Sequence, residues 1–313
     1  IMPFTTQKHP PLRVFAIFFH PSTSVTAMGG AEKRFLETLK FFCDKKGLEI
    51  TILESSPSLL ARSEITCKKY FLSSSFRGKG WLSIYLEWIF WITKASIKSF
   101  SIIRRIKPNV IFVSNNTLPN LFVGYITSFV LCSPLFVVVH HIDIPFYRAG
   151  EDYSLYGCYR SIKYGRLVSL IKTFAFHIML FLMKRAKGII AVSNCTAEAL
   201  RNNGVSNVKI FVSGNAVNSL FIENVKPHNK KIYDGGFVGR IAREKGIFDL
   251  LKIWEKVVKV KADAKLLIIG SGLEVADIKE KIVDSGLEDK AFVKAHCDDI
   301  ELYSLLKSCK VFI

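Results

Sequence analysis

The feature that most constrains this chain is a repeated alternation of short apolar runs with helix-length segments. The runs lie at residues 12–19, 48–53, 110–113, 135–139, 188–192, 208–212, 237–238, 266–269, 292–293 and 311–313. Short continuous apolar runs are typical of strands buried on both faces, as in a parallel sheet. Strands that alternate with helices predict a doubly wound, Rossmann-like α/β architecture, in which ligands bind at the carboxyl ends of the strands.

The length and one turn-rich segment predict two domains. A chain of 313 residues exceeds the usual size of one domain. Residues 213–231 interrupt the alternation with asparagine, glycine and proline, so we place the boundary there. The first domain, 1–217, then has about six strands and the second, 218–313, begins a new series. Because residues 310–313 resemble part of a buried strand, we expect the second domain to be incomplete.

The charge balance limits the kinds of partner. Lys and Arg number 44 against 26 Asp and Glu, a net charge of +18, which favours polyanions, anionic lipid or phosphate. From Tyr153 to Ala197 there is no acidic residue, and basic residues alternate with large apolar ones. A nucleic-acid-binding protein is disfavoured, because no zinc-finger spacing, aromatic RNA-binding motif or basic tail occurs.

Cysteine spacing and two apolar stretches bear on the compartment. The seven cysteines form no C-x-x-C pair, which disfavours a zinc site or a disulfide framework and favours the cytoplasm. The stretch at residues 14–19 is too short for a signal peptide. Residues 121–139 would pass a hydropathy test for a membrane span, but Pro134 divides them into a helix-length piece and a strand-length piece.

Two glycine-containing loops are candidate anion sites. Gly29 and Gly30 precede a predicted helix, where backbone amides and the helix dipole favour an anion; a tight turn alone would also explain them. In the second domain, Gly239 and Arg240 follow a strand, and Lys245 precedes the next helix. Such a cation pair suits a diphosphate without a metal, although solvated surface charges are the plain alternative.

Further candidates follow two other strands. Gly270, Ser271 and Gly272 come after the strand at 266–269, although the dinucleotide fingerprint is incomplete there. His140 and His141 follow the strand at 135–139. Adjacent residues of a strand point to opposite faces, so we expect at most one of these histidines to face a ligand, and no metal pair.

Taken in order, these pieces resemble the retaining glycosyltransferase family four, which has the GT-B fold of two Rossmann-like domains facing a cleft. The resemblance rests on the early GG-A-E loop, a histidine after a central strand, and the segments GIIAVSNCTAEALRNNG, GNAVNSLF, VGRIAREKGI, AKLLIIGSG and ELYSLLKSCKVFI. It implies a metal-independent hexosyltransferase, mannosyl transfer included, that uses a GDP- or UDP-sugar and no cofactor.

The resemblance also implies roles for single residues. Arg240 and Lys245 match the basic pair that grips the donor's phosphates, opposite the loop of Gly29 and Gly30. His140 matches the histidine that contacts the sugar, with His141 as the fallback.

The chain also departs from the family's pattern. Asn215 to Asn218 replace the linker motif Asn-Gly-Val-Asp, Ala295 replaces a glycine, and a pair of glutamates expected after Ile313 lies outside the sequence. Three alternatives therefore stay open: an epimerase of the same fold, a non-catalytic binding module, and an inactive fragment.

The segment from Trp81 to Lys107 suggests where the acceptor is found. It combines aromatic residues, Trp81, Trp88, Trp91 and Phe100, with basic ones, Lys94, Lys98, Arg104, Arg105 and Lys107. This combination on one helix is typical of a membrane surface, so we expect a glycan or lipid-linked acceptor and peripheral contact with an anionic membrane. An ordinary helix with a solvated basic side is the alternative.

Overall fold

The computed structural model describes residues 10–20, 30–55, 65–73, 81–142, 154–161, 164–215, 217–228, 232–272, 274–295 and 297–313. The chain divides into two compact units, Ile1–Val217 and Asn218–Ile313. Gly29 lies outside the described residues. Each unit is a parallel α/β sheet, as the alternation predicts.

Unit 1 contains a seven-stranded parallel sheet of order β3-β2-β1-β4-β5-β6-β7. Its strands are β1 Leu12–Phe18, β2 Leu48–Glu54, β3 Lys68–Phe71, β4 Val110–Val113, β5 Leu135–Val139, β6 Gly188–Ala191 and β7 Ile210–Val212. The strand order reverses between β1 and β4, which is where a doubly wound sheet opens a crevice for ligands. The prediction of about six strands omitted β3, because its two lysines hide an edge strand.

The helices of unit 1 cover both faces of its sheet. They are α1 Gly30–Cys43, α2 Trp81–Ile106, α3 Leu118–Leu131, α4 Leu155–Ser161, α5 Arg166–Arg185 and α6 Asn194–Asn202. Alternate residues of β1 point to opposite faces. Phe15 and Ile17 join the core that contains α2, α3 and α5, whereas Ala16 and Phe18 join a smaller core with α1.

Unit 2 contains a four-stranded parallel sheet of order β10-β9-β8-β11. The strands are β8 Tyr233–Val238, β9 Leu266–Ile269, β10 Ala291–Lys294 and β11 Cys309–Phe312, with helices α7 Ser219–Asn224, α8 Ile247–Val260, α9 Val275–Asp284 and α10 Asp299–Leu306. The most amphipathic helix, α8, buries Leu250, Leu251 and Trp254 against the sheet. That this unit is incomplete stays a prediction.

The long apolar stretch is divided as predicted. Residues 121–139 form the end of α3, a turn around Pro134 and all of β5. Among the described residues one helix, α5, is long and apolar enough to cross a membrane by length and composition, and 28% of its most apolar stretch is buried in unit 1. The core helix of a soluble protein passes the same test.

The prediction that Trp88, Trp91 and Phe100 of α2 face a membrane is wrong. Trp91 is completely buried and its indole N–H donates to the Leu72 carbonyl at 3.3 Å. Trp88 and Phe100 pack against the same core. Large aromatic rings gain the most by leaving water, so the side of α2 that carries these three rings is the side that packs on the core. The side chain of Trp81 lies outside the described residues.

Candidate functional site

In unit 1, polar side chains tie together the loops at the point where the strand order reverses. Asn120, fully buried at the start of α3, accepts the Phe19 N–H at 2.7 Å and donates to the Asn115 side-chain oxygen at 2.7 Å. The hydroxyl of Ser55 accepts the His20 N–H at 2.7 Å and donates to the His20 carbonyl at 2.8 Å. The loops after β1, β2 and β4 are therefore fixed before any ligand binds.

His140 is held by the neighbouring loop. Its backbone N–H donates to the Asn116 side chain at 3.3 Å, and the amide of Asn116 donates to the His141 carbonyl at 2.7 Å. The Nε2 atom of His140 lies 3.3 Å from the Ser114 carbonyl. A carbonyl only accepts, so in the neutral ring Nε2 carries the proton and Nδ1 is the acceptor. His141 is exposed.

The surroundings of His140 keep its ring neutral. Burial lowers the pKa of His140, the hydrogen bond to Ser114 opposes this, the Arg34 cation lowers the pKa further, and the Glu32 carboxylate raises it. Arg34 and Glu32 come from the first turns of α1, the helix that begins at Gly30. Charged side chains at the start of α1 therefore influence the pKa of the histidine that follows β5.

Arg34 joins α1 to the last residues of unit 1. Its guanidinium donates to the Gly214 carbonyl, to the Asn215 side-chain oxygen at 2.7 Å and to the Ser213 hydroxyl at 2.6 Å. Burial lowers the pKa of Arg34. The planar fork of donors suits such a set of acceptors, so Arg34 fixes the backbone where the chain leaves unit 1.

Glu32 also faces a second histidine. The carboxylate lies 3.7 Å from His20 Nε2, and both side chains are largely buried. His20 lies two residues after β1, so the pair stands at the same edge of the sheet as the loops described above. A buried carboxylate beside an imidazole can accept a proton from the hydroxyl of a bound ligand, or share that proton with it.

In unit 2, the predicted cation pair lies on the loop that follows β8. Arg240 is exposed two residues after the strand, and Lys245 is exposed at the end of a 3-10 turn, Arg243–Lys245. Gly246 follows with a φ of 70°, a left-handed conformation that favours glycine, and α8 begins at the next residue. Lys245 therefore stands at a helix amino terminus, where an anion is stabilised.

Arg243 belongs to the same loop but is engaged differently. Its guanidinium is 3.2 Å from the Glu274 carboxylate and lies over the Phe248 ring, 4.8 Å from the centroid. Arg243 therefore links its own loop to the residue that precedes α9 and to the first turn of α8.

The glycines after β9 are explained first by packing. A Cβ atom at Gly270 would overlap the Gly239 carbonyl oxygen, and one at Gly272 would overlap the Ile241 carbonyl oxygen. The Ile241 N–H also donates to the Ser271 carbonyl at 3.0 Å. Close approach of the two loops therefore requires both glycines, and ligand contact by Gly239, Gly270, Ser271 or Gly272 stays a prediction.

No metal site is assembled in the part of the chain that the structure describes. No group of three His, Cys, Asp or Glu side chains there is arranged to hold a metal ion. All seven cysteines are free thiols. Burial raises the pKa of Cys67 to about 12, so that thiol stays protonated and unreactive.

Several residues of the unit 1 cluster escaped the sequence analysis. Their roles depend on which loops meet in the fold: Arg34 reaches an acceptor 181 positions away in the sequence. The missed residues are Glu32, Arg34, Ser55, Asn115, Asn116 and Asn120. One usable signal was present, since SNNTLPN places three asparagines directly after an apolar strand.

Comparisons with known proteins match both units. The family model described as Glycosyltransferase Family 4 matches residues 28–219, and that described as Glycosyl transferases group 1 matches residues 219–313. A search of curated proteins found no match.

Solved structures of the GT-B fold are similar over most of the chain. Anabaena Alr3699/HepE in complex with UDP and glucose is 17% identical, with a TM-score of 0.62 over 95% of this chain and 73% of that one. The lipopolysaccharide outer core galactosyltransferase WaaB is 16% identical, with a TM-score of 0.51 over 91% and 68%. UDP-GlcNAc 2-epimerase from Neisseria meningitidis, bound to UDP-GlcNAc, is 12% identical, with a TM-score of 0.57 over 96% and 76%.

Proposed function

This chain belongs to Glycosyltransferase Family 4, and on that premise we propose that it moves a hexose from a nucleoside-diphosphate sugar to a glycan or lipid-linked acceptor with retention of configuration. One observation carries the proposal. Within the residues matched to Glycosyl transferases group 1, Arg240 and Lys245 are exposed on the loop that joins β8 to the amino terminus of α8. Two cations and a helix terminus there suit a diphosphate.

The donor is proposed to be a UDP-sugar, with a GDP-sugar as the alternative. The structure of HepE contains UDP and glucose, and that of the Neisseria epimerase contains UDP-GlcNAc. These ligands belong to proteins that share the fold, and they support a uridine nucleotide as the first choice. Transfer of mannose from a GDP-sugar remains part of the proposal.

The cations act on the leaving group. In the proposed reaction an acceptor hydroxyl bonds to the anomeric carbon, the bond from that carbon to the diphosphate oxygen breaks, and the hydroxyl proton ends on the diphosphate. Arg240 and Lys245 would neutralise the charge that develops on this oxygen, which lowers the barrier without a metal ion. No cofactor is proposed.

His140 is proposed to contact the transferred sugar. Its Nε2 proton is directed to the Ser114 carbonyl, so Nδ1 would accept a hydrogen bond from a sugar hydroxyl. Because burial and Arg34 lower the pKa of His140, the ring is neutral at pH 7 and keeps that acceptor. Gly29 and Gly30 would approach the donor with backbone atoms, and His141 is the fallback for His140.

The protein is proposed to act in the cytoplasm, at the inner face of a membrane that carries its acceptor. The large apolar surface of unit 1 and the +18 net charge support this location.

Donor turnover tests the proposal. The full chain would be incubated with UDP-glucose, UDP-galactose, UDP-GlcNAc and GDP-mannose, with and without EDTA, and release of nucleoside diphosphate would be measured. We expect release from one donor, unchanged by EDTA and lost in Arg240→Ala, and an α-linked product by NMR once an acceptor is found. Release that requires a divalent metal, or that Arg240→Ala leaves intact, would contradict the proposal.

A nucleotide-sugar epimerase is the second candidate, favoured by the likeness to the UDP-GlcNAc 2-epimerase. The two activities differ in their need for an acceptor. Conversion of UDP-GlcNAc to its 2-epimer by this chain alone, followed by proton NMR, would establish the epimerase and exclude transfer as the main activity. We rank transfer first, because both matching family models describe glycosyltransferases.

A further inference from the structure

Helix α5 has two apolar faces, and the described part of unit 1 covers only one. Ala175, Phe176, Leu182 and Met183 are buried in the core. On the opposite side Leu167, Leu170, Phe174 and Phe181 are 66%, 59%, 68% and 49% exposed. Their spacing of three, four and seven residues aligns them along the helix. Each side chain exposes apolar area that water disfavours.

The exposed apolar stripe continues onto the neighbouring helices. α2 packs on α3, α3 packs on α5, and α4 packs on α5, so the four helices form one layer over one face of the sheet. The outer side of that layer also presents Leu86, Ile89, Phe90 and Ile97 from α2 and Phe129 and Val130 from α3. An exposed apolar surface of this extent marks a contact with something other than water.

The charges on the layer identify its partner. The only acidic residue on α2, α3, α4 or α5 is Glu87, which is 1% exposed. Eight cations on the same helices are exposed: Lys94, Lys98, Arg104, Arg105, Arg160, Arg166, Lys184 and Arg185. An apolar surface interspersed with cations and without an exposed carboxylate is complementary to anionic lipid. Two copies of this chain would instead bring like charges together across a symmetric contact.

We propose that the outer surface of the α2–α5 layer lies on an anionic lipid bilayer, with the exposed apolar side chains of α5 inserted among the headgroups. α5 lies on the membrane instead of crossing it, because its other face is part of the core of unit 1. The proposal deepens the proposed function by placing a membrane-borne acceptor beside unit 1. Lipid binding itself needs no donor and no transfer, so the two proposals can fail separately.

Vesicle flotation of the full chain tests the proposal. The probes are vesicles of phosphatidylcholine alone and of phosphatidylcholine with about one third phosphatidylglycerol. We expect the protein on the anionic vesicles only, with binding reduced at 1 M NaCl because salt screens the cations. Binding to neither kind of vesicle, or equal binding to both, would overturn the proposal.

Paired variants locate the surface. Leu170→Gln with Phe174→Gln should weaken binding about 10-fold or more, because two large apolar side chains leave the interface. Lys94→Gln with Lys98→Gln should weaken it about 25-fold, from roughly 5-fold for each cation. The matched control is Phe41→Gln, an exposed aromatic on α1 at the other face of the sheet, which should bind like the wild type.

Two further readouts keep the result decisive. Circular dichroism and thermal melting confirm that each variant is folded, which their exposed positions predict. Light scattering of the protein without vesicles reports self-association. A dimer that dissociates in the Leu170→Gln, Phe174→Gln variant, without loss of vesicle binding, would assign the surface to a second copy and overturn the lipid assignment.

Discussion

The two units hold their candidate residues in different ways. In unit 1 His140 is partly buried and bonded to the loop after β4, and Arg34 is bonded to the backbone where the unit ends. In unit 2 Arg240 and Lys245 are exposed on a loop. Unit 1 therefore fixes its candidate residues as part of its own folding, whereas the cations of unit 2 are proposed to bind a ligand. Substitutions should change stability in the first unit and binding in the second.

The largest expected effect comes from the cations of unit 2. Arg240→Ala or Lys245→Ala should lower the rate of sugar transfer or donor turnover by about 10²- to 10³-fold, because the charge on the leaving diphosphate loses a partner. Unfolding by urea should change by less than about 0.5 kcal/mol, since both side chains are exposed.

Arg243→Ala is the matched control for that prediction. It removes a cation from the same loop, but one that contacts Glu274 and Phe248. We expect donor turnover by Arg243→Ala to stay within about 3-fold of the wild type, because the ion pair that it removes is exposed and contributes little to the stability of the loop. An equal loss of turnover in all three variants would show that general charge, not the two named cations, binds the donor.

A buried carboxyl in unit 1 should produce the next largest effect. Glu54 is 3% exposed, one of its oxygens has no hydrogen-bond partner among the described residues, and burial raises the pKa of the carboxyl from 4.5 to about 7. As the pH rises, the carboxyl ionises in the unfolded chain before it ionises in the folded one. Glu54 therefore does not lower the free energy of unfolding below pH 4, and it lowers that free energy by its full amount above pH 7. Glu54→Gln should stabilise the protein at pH 8 by about 2–3 kcal/mol.

Urea unfolding from pH 4 to pH 8 measures the effect of Glu54→Gln. The gap between variant and wild type should open as the pH rises through 4.5 and should stop growing above 7. A constant gap across that range would mean that Glu54 ionises normally in the folded unit.

Arg34 should link stability to the titration of His140. Arg34→Met leaves the acceptors of Ser213, Gly214 and Asn215 without their donor and should destabilise unit 1 by about 1–3 kcal/mol. It should also raise the pKa of His140, because the cation that lowers it is gone. Urea unfolding and NMR titration of the histidine ring measure the two effects.

Arg34→Lys separates the two effects. It keeps the positive charge but loses the planar fork, so the stability loss should remain while the pKa of His140 stays near its value in the wild type. If Arg34→Lys behaves like the wild type in both readouts, the hydrogen bonds to the end of unit 1 do not stabilise it.

The smallest effect is expected at the other end of the unit 2 sheet. The Asp234 carboxylate accepts from Lys261 at 2.6 Å, from Lys310 at 2.8 Å and from the Lys265 N–H at 3.0 Å, and these bonds lower the pKa of Asp234. The stabilisation is present above pH 3.8 and is lost as the pH falls below that value.

Asp234→Asn should cost about 1 kcal/mol at pH 7, a modest value because the lysines are partly exposed. Thermal unfolding at pH 7 and pH 3 measures it. Asp263→Asn, which lies 3.6 Å from the same Lys261 but is 83% exposed, is the control and should change little. Equal losses in both variants would contradict the special role of Asp234.

The sequence predicted most strands because buried parallel strands are continuous apolar runs. β1, β2, β4, β5, β6 and β9 fall on predicted runs. β3 and the first four residues of β8 were missed, since Lys68, Lys69, Asp234 and Gly235 are poor strand formers whose pairing is decided by neighbouring strands. The aromatic side of α2 was misassigned, because a periodic apolar pattern does not say which stripe faces the core.

Candidate residues were predictable only where local pattern marks them. His140 and Arg240 lie within two residues of the end of an apolar strand, and Lys245 precedes the helix that follows, so their locations could be read from the sequence. Arg34 and Glu32 lie inside an ordinary amphipathic helix, and their contacts join distant parts of the chain. Only the folded arrangement of β1, β4 and β5 brings them to His140.

The most direct test of a donor site on unit 2 is the thermal stability of the full chain with UDP, GDP, ADP and NAD. We predict that one uridine or guanosine diphosphate stabilises the protein, by about 3 kcal/mol at 100 times its Kd. That shift should vanish in Arg240→Ala and Lys245→Ala and persist in Arg243→Ala. A shift that survives in both alanine variants, or stabilisation by NAD in place of UDP or GDP, would contradict the account.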